Sequence, residues 1–259
     1  MELSQLQKLV NHETGVEDIV TRDPRIIVAL DYADQKQAFS FVDKTSPDLC
    51  KLKVGKELFT RCGPQFVESL VAKGFDVFLD LKFHDIPNTV KQAVYAASQL
   101  GVWMVNVHAL GGSSMLAAAR EGVEMIGVNR PYLIAVSLLT SVSASDLRQL
   151  GIEQEPQAFV ERLAQLAIDS GLDGLVCSAR EARGLRQILG DAPLLVTPGI
   201  RPEGSASDDQ QRISTPQQAI TDGASYLVIG RPITRHPSPS EALMSIEESL
   251  SNVQPNSST

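Results

Sequence analysis

The sequence predicts an α/β chain closed into a single TIM (β/α)8 barrel, and three observations carry that reading. Eight short runs rich in Val, Ile and Leu alternate with segments of helical periodicity between about residues 25 and 250. The runs are bounded by Gly, Pro or Asp, which suits buried parallel strands. The chain has 259 residues, near the roughly 250 typical of this barrel. An open doubly wound sheet shares the same alternation and is the alternative. No Gly-x-Gly-x-x-Gly follows the first strand, which counts against dinucleotide binding.

The expected strands are RIIVALD (25–31), LCKLKVG (49–55), DVFLDLK (76–82), WMVNVHA (103–109), YLIAVSLL (132–139), GLVCS (174–178), LLVTPGI (194–200) and YLVIGRPI (226–233). Among the helices, IPNTVKQAVYAASQLG puts Val90, Ala93, Val94, Ala97 and Leu100 on one face, with Pro87 near its start and Gly101 just past its end. The following helix has Met115, Leu116 and Ala119 at apolar positions, and Ser113 or Ser114 is the expected cap. The barrel is expected over 25–250, preceded by an arm over 1–24 and followed by a disordered tail over 251–259. From Arg201 to Thr215 only Ala206 and Ile213 are apolar, so a mobile loop after strand 7 is expected there.

Composition narrows the function classes. A hydrophobic fraction of 43% is enough for one filled core, and a net charge of −8 argues against a nucleic-acid footprint. It leaves room for a small anionic substrate, because a local cluster of Lys and Arg can oppose the global sign. Cys50, Cys62 and Cys177 are odd in number and lack metal spacing, so reduced, mostly buried thiols are expected. The N-terminus lacks the pattern of a secretory signal, and no apolar run approaches the roughly 18 residues of a membrane span. A soluble cytoplasmic protein is the expectation.

Strand alternation then sorts the charges. Ile27, Ala29 and Asp31 share one face of the first strand, Lys51 and Lys53 one face of the second, and Phe78, Asp80 and Lys82 one face of the third. The opposite faces are aliphatic and should meet the helices, so these faces point into the barrel with their charges near the C-terminal ends, where TIM-barrel enzymes hold their active sites. Asp31, Lys53, Asp80 and Lys82 therefore converge on one mouth, with Asp85 just outside the strand. Alternating acids and ammonium groups hold each other charged. The bland alternative is a salt-bridge network that only closes the barrel top; four charges from three strands favour catalysis.

DLKFHDIPNT (80–89) resembles the signature of the orotidine 5′-phosphate decarboxylase family. The likeness extends over nearly the whole barrel through ALD (29–31), KLKVGKELF (51–59), LLTS (138–141), TPGIRPEG (197–204) and VIGRP (228–232). It implies a homodimeric carboxy-lyase that makes uridine 5′-phosphate without metal or cofactor. By resemblance, Asp31 binds the ribose and Lys53 bridges the ribose and the charge network. Asp80 stands against the leaving CO2, and Lys82 protonates C6. Asp85, Ile86 and Thr89 reach into the partner's site, and Thr140 lies near the edge of the pyrimidine. Pro198, Arg201, Gln210, Gly230 and Arg231 line the base and grip the phosphate.

Two other readings stay open at this stage. One is a Mg²⁺-dependent lyase of the same barrel group, acting on 3-keto-gulonate 6-phosphate or hexulose 6-phosphate. The other is a catalytically inert barrel that binds nucleotides. His12, His84, His108 and His236 lack paired ligand spacing. His108 is expected as a hydrogen-bonded strand-end histidine, Asp208 and Asp209 as solvated loop charges, and Trp103 as a packing residue.

Overall fold

Eight parallel strands follow one another in chain order and close into a barrel: β1 (Ile26–Ala29), β2 (Lys51–Gly55), β3 (Val77–Phe83), β4 (Met104–His108), β5 (Tyr132–Val136), β6 (Gly174–Val176), β7 (Leu194–Thr197) and β8 (Tyr226–Ile229). Closure is made by β1 on β8, with Ile26 opposite Leu227 and Val28 opposite Ile229. The structure, a computed structural model, describes residues 23–202, 214–251 and 253. Nearly all of the expected arm and tail, and residues 203–213 of the expected mobile loop, lie outside the described residues.

The strand pattern sorts side chains as alternation requires. Ile26, Val28, Leu52, Val54, Val77, Leu79, Val105 and Val107 point outward and merge with the helices in one large core. Ile27, Ala29, Phe78, Met104, Ile134, Val196, Tyr226 and Val228 fill the barrel itself. The crossovers begin with α1 (Gln35–Val42), capped by Asp34, whose carboxylate accepts from Gln37 N. After β2 the chain makes α2 (Lys56–Cys62) and α3 (Pro64–Ala72). They are separated at Gly63, whose φ of 72° is easily reached only without a Cβ.

Next come α4 (Pro87–Ser98) and α5 (Gly112–Glu124). In α4, Val90, Val94 and Ala97 are buried as the periodicity predicts. A Cβ on Gly122 would stand 2.6 Å from Lys91 O, so glycine lets these two helices approach closely. The circuit continues through α6 (Ala144–Gln149), α7 (Pro156–Asp169), α8 (Ala179–Leu189) and α9 (Pro216–Thr221). It closes with α10 (Arg231–Thr234) and α11 (Pro239–Ser251). No described helix is long and apolar enough to cross a membrane.

Several boundaries differ from expectation. The apolar run YLVIGRPI is strand only to Ile229; Gly230 turns the chain with ψ of −106°, and Arg231 opens α10. Neither Ser113 nor Ser114 caps α5, because the helix already starts at Gly112 behind a 3-10 turn at Ala109–Gly111, with no side-chain cap. The third strand is irregular: Leu79 pairs with Val105 but Phe83 with Val107, so β3 bulges over its charged segment.

Lys51 is the exception to the expectation that inward charges gather at the C-terminal mouth. It shares its face with Lys53 but sits two residues, roughly 6.6 Å, back along the strand. It is 2% exposed at the opposite end of the barrel. Its ammonium meets Asp23 at 2.7 Å and Asp76 at 2.6 Å, and lies 4.4 Å from the centre of the Trp103 ring. Trp103 in turn packs edge-on against Tyr132 and Tyr226, the packing role expected for it. Tyr226 Oη donates to Asp23 at 2.8 Å, so at least residue 23 of the arm is fastened to the barrel floor.

Removing this buried stem leaves a void. Lys51→Ala should lower the unfolding free energy by roughly 2–4 kcal/mol in denaturant titrations. Lys51→Met, which keeps most of the volume, should cost under about 1.5 kcal/mol. Equal losses for the two variants would show that charge, not filling, is what the floor requires.

Candidate active site

The C-terminal mouth of the barrel opens into a cavity of about 710 Å³. Its walls come from the ends of β1, β2, β3 and β5 to β8 and from the segments that follow them. Strand ends and the loops after them are where this fold carries chemistry, because the barrel below holds them rigid.

Four of the charged groups meet here. The Asp80 carboxylate, only 8% exposed, lies between two ammonium groups: Lys82 Nζ is 2.5 Å from Oδ1 and Lys53 Nζ is 3.3 Å from Oδ2. Lys53 continues the row to Asp31, 3.8 Å away. Burial pushes the Asp80 carboxyl upward. The charges of Lys53 and Lys82, with hydrogen bonds from Lys82 and Asn106, outweigh burial and hold it below the usual carboxylate range. Lys82 has a left-handed backbone, φ 53°, the one positive φ outside glycine among the described residues. It lies within the bulge of β3, where register with β4 is lost between Leu79 and Phe83.

The sequence-predicted residues that are described divide into two groups. Asp31, Lys53, Asp80, Lys82, Thr140, Pro198, Arg201, Gly230 and Arg231 all line the cavity. Asp85, Ile86 and Thr89 do not; they are exposed at the start of α4, and Ile86 is 67% exposed. The Asp85 carboxylate accepts from Ile86 N at 2.6 Å. Gln210, Asp208 and Asp209 lie outside the described residues.

Sequence reading missed Asn106 and Arg235. Asn106 is fully buried and donates to Asp80 Oδ1 at 2.7 Å. Its signal was available: it occupies the inward face of β4 between Met104 and His108, where an apolar residue is the default. Arg235 lines the cavity beyond α10 and had no strand or motif to flag it. His108 departs from expectation, since its Nδ1 is buried with no hydrogen-bond partner among the described residues. Its ring stacks on His84, centroids 5.5 Å apart. Burial, with the nearby charges of His84, Lys56 and Lys82, pushes its pKa down to about 4. Cys50 and Cys177 are buried free thiols and Cys62 is half-buried and free. Among the described residues no three His, Cys, Asp or Glu side chains gather as a metal-ligand set.

Among the described residues, five cations line the cavity (Lys53, Lys82, Arg201, Arg231 and Arg235) against two carboxylates, Asp31 and Asp80. This cationic mouth stands in a chain of net charge −8. Fold and site together define a (β/α)8-barrel enzyme that handles a small anion through fixed charges.

Known proteins place the chain more closely. The family model for the orotidine 5′-phosphate decarboxylase / HUMPS family matches residues 24–246. The orotidine 5′-phosphate decarboxylase of Psychromonas ingrahamii is 60% identical over 228 residues, covering 88% of this chain and 97% of the relative. That of Nitrosomonas europaea is 60% identical over 231 residues, covering 89% and 99%. The solved structure of orotidine 5′-phosphate decarboxylase from Lactobacillus acidophilus superposes with a TM-score of 0.80 at 38% identity, covering 88% of this chain and 99% of that one. The chain belongs to the orotidine 5′-phosphate decarboxylase / HUMPS family.

The Asp80 contacts have a pH signature. Its folded pKa is depressed, so the stabilisation is complete above the ordinary carboxylate value of 3.8 and is lost as pH falls through the lower folded value. The stability margin of the unmutated chain over Asp80→Asn, from denaturant unfolding, should therefore hold above pH 3.8 and shrink below it. A margin that stayed constant into strong acid would mean the carboxylate is not held by the two ammonium groups.

Proposed function

We propose that the chain decarboxylates orotidine 5′-phosphate to uridine 5′-phosphate, in pyrimidine nucleotide synthesis, by electrostatic stabilisation and proton donation from its own side chains. The observation that carries the proposal is the Asp80 carboxylate fixed between Lys53 and Lys82 inside a net cationic cavity. The substrate brings a phosphate of about −1.5 to −2 and a carboxylate, which complements an excess of cations lining the mouth.

The reaction breaks the bond from C6 to the carboxyl carbon, CO2 departs, and the electron pair stays on C6. The ring delocalises that pair poorly, so preorganised charge must lower the barrier. Lys82 supplies it: its ammonium faces the growing negative charge and then gives a proton to C6, to be replaced from solvent. Asp80 stands against the substrate carboxylate and holds the Lys82 ammonium in place through their ion pair. Holding Lys82 at a positive φ costs on the order of 1–3 kcal/mol, the kind of local strain that concentrates at functional positions. Asp31 and Lys53 take the ribose, Thr140 the edge of the base, and Pro198 and Arg201 the base and its rim. Gly230 and Arg231, where β8 passes into α10, hold the phosphate, with Gln210 assigned there as well. Arg offers a two-pronged fork to phosphate oxygens, and the end of strand 8 is a recurrent phosphate position in this fold.

The Mg²⁺-dependent lyase of the same family is not favoured, since the relatives at 60% identity are decarboxylases of orotidine 5′-phosphate by name. An inert binder has no use for so many partly buried charges. Three free thiols suit a reducing compartment, and we assign the work to the cytoplasm.

Asp85, Ile86 and Thr89 lie outside their own chain's cavity and are exposed. That supports a homodimer in which each copy extends these residues into the other's site.

A spectrophotometric assay with EDTA present should show loss of orotidine 5′-phosphate, and Lys82→Ala should abolish it while uridine 5′-phosphate still binds. Near-normal turnover in Lys82→Ala, or abolition by EDTA, overturns the mechanism. Mixing inactive Lys82→Ala and Asp85→Ala chains should restore activity, because one hybrid site is whole. No recovery after demonstrated subunit exchange would refute the shared site.

A further inference from the structure

We infer that Asn106 is a positioning residue for the decarboxylation, setting Asp80 and Lys82 relative to one another; the inference rests on the function proposed above. Asn106 is 0% exposed and is not among the cavity-lining side chains, so it acts through its neighbours. Both ends of its amide are committed. Nδ2 donates to Asp80 Oδ1 at 2.7 Å, and Oδ1 accepts from Lys82 N at 2.8 Å. A carboxylate only accepts and a backbone N–H only donates, so this pair of partners fixes which way the amide points.

Packing alone does not call for Asn here. The barrel interior around it is built from Phe78, Met104 and Ile134, and a buried amide is costly unless its hydrogen bonds are made. Here they are made to Asp80 and to Lys82. The second bond has a structural cause. Register is lost between Leu79 and Phe83, so β3 and β4 are not paired in regular register at Lys82. Asn106 receives the Lys82 N–H instead and pins the bulge at φ 53°. The first bond gives Asp80 Oδ1 a neutral donor beside the Lys82 ammonium, while Oδ2 turns to Lys53. One side chain thus fixes both the orientation of the carboxylate and the origin of the lysine.

The charged groups around Asp80 are Lys53 from β2 and Lys82 from its own strand, with Asp31 at the end of β1 touching Lys53. His108, two residues on in β4, interacts with Lys82 and stays neutral above about pH 4.

The test uses the full chain and its Asn106→Ala and Asn106→Asp variants, with kcat, KM, uridine 5′-phosphate affinity and unfolding followed across pH. Asn106→Ala should lower kcat on the order of 100-fold, with KM and product affinity near their unmutated values. Asn106→Asp is isosteric and sets two carboxylates side by side, which favours a shared proton. With that proton the pair has the charge of Asp80 with Asn106 and keeps both hydrogen bonds. Its kcat should approach that of the unmutated chain at low pH and fall as pH rises through the pair's upper titration, a step the unmutated chain lacks. A merely structural role predicts lower melting temperatures with unchanged kcat per folded site and an unchanged pH profile, and that result overturns the inference. Should Asn106→Ala fail to fold, Asn106→Asp decides alone. If the unmutated chain itself shows no turnover, the decarboxylase reading fails instead. The positioning by Asn106 is then read from the Asp80 carboxyl by NMR: a raised pKa in Asn106→Ala supports it, and an unchanged one overturns it.

Discussion

A carboxylate withdrawn from water stays ionised only when its surroundings replace the lost hydration, and the mouth of this barrel is arranged around that requirement. Asp80 is served by an ammonium on each side and by a neutral amide from the next strand. Each partner comes from a place the fold dictates: Lys53 from β2, Lys82 from two residues further along β3, and Asn106 from β4. Because every donor is rooted in a strand of a closed sheet, the fold sets the backbone origin of each partner. The charges are fixed before any substrate arrives, which is the condition under which electrostatics lowers a barrier most effectively.

The same requirement explains why the third strand is irregular. A regular strand would face Asp80 and Lys82 inward at successive steps of its pleat. Their separation would then be whatever the pleat dictates. The bulge opposite β4 breaks that geometry, and Lys82 accepts a left-handed backbone as the consequence. Local order is given up at the point where the chemistry needs a particular approach of two side chains, and the rigid strands on either side confine the distortion.

Much of this was legible in the residues alone. Alternation of apolar runs and helical segments specified the barrel, because parallel strands covered on both faces need continuous aliphatic sequence. Period-two sorting brought Asp31, Lys53, Asp80 and Lys82 to one mouth. The same sorting misplaced Lys51, since facing inward does not say which end of the barrel a residue reaches; that depends on strand start points, which register sets and composition does not. Ser113 and Ser114 looked like caps by type, but Gly111 and Gly112 had already let the chain turn into the helix. Asn106 escaped notice because a single amide in an apolar strand carries no spacing pattern; its meaning came only with the bulge that brings it to Lys82 N.

The interior of the barrel separates two charged ends with a layer of Ile27, Phe78, Met104, Ile134 and Val196. Lys51 with Asp23 and Asp76 closes one end; Lys53 with Asp31 and Asp80 furnishes the other. Two lysines separated by one leucine along the chain thus serve opposite ends of the barrel, each paired with its own two carboxylates and with a dry apolar layer between them. Because a dry layer screens charge poorly, it is the pairing of Lys51 with Asp23 and Asp76 that limits what the mouth feels of the floor, so the floor can be rebuilt with least effect on the site when its charge balance is kept.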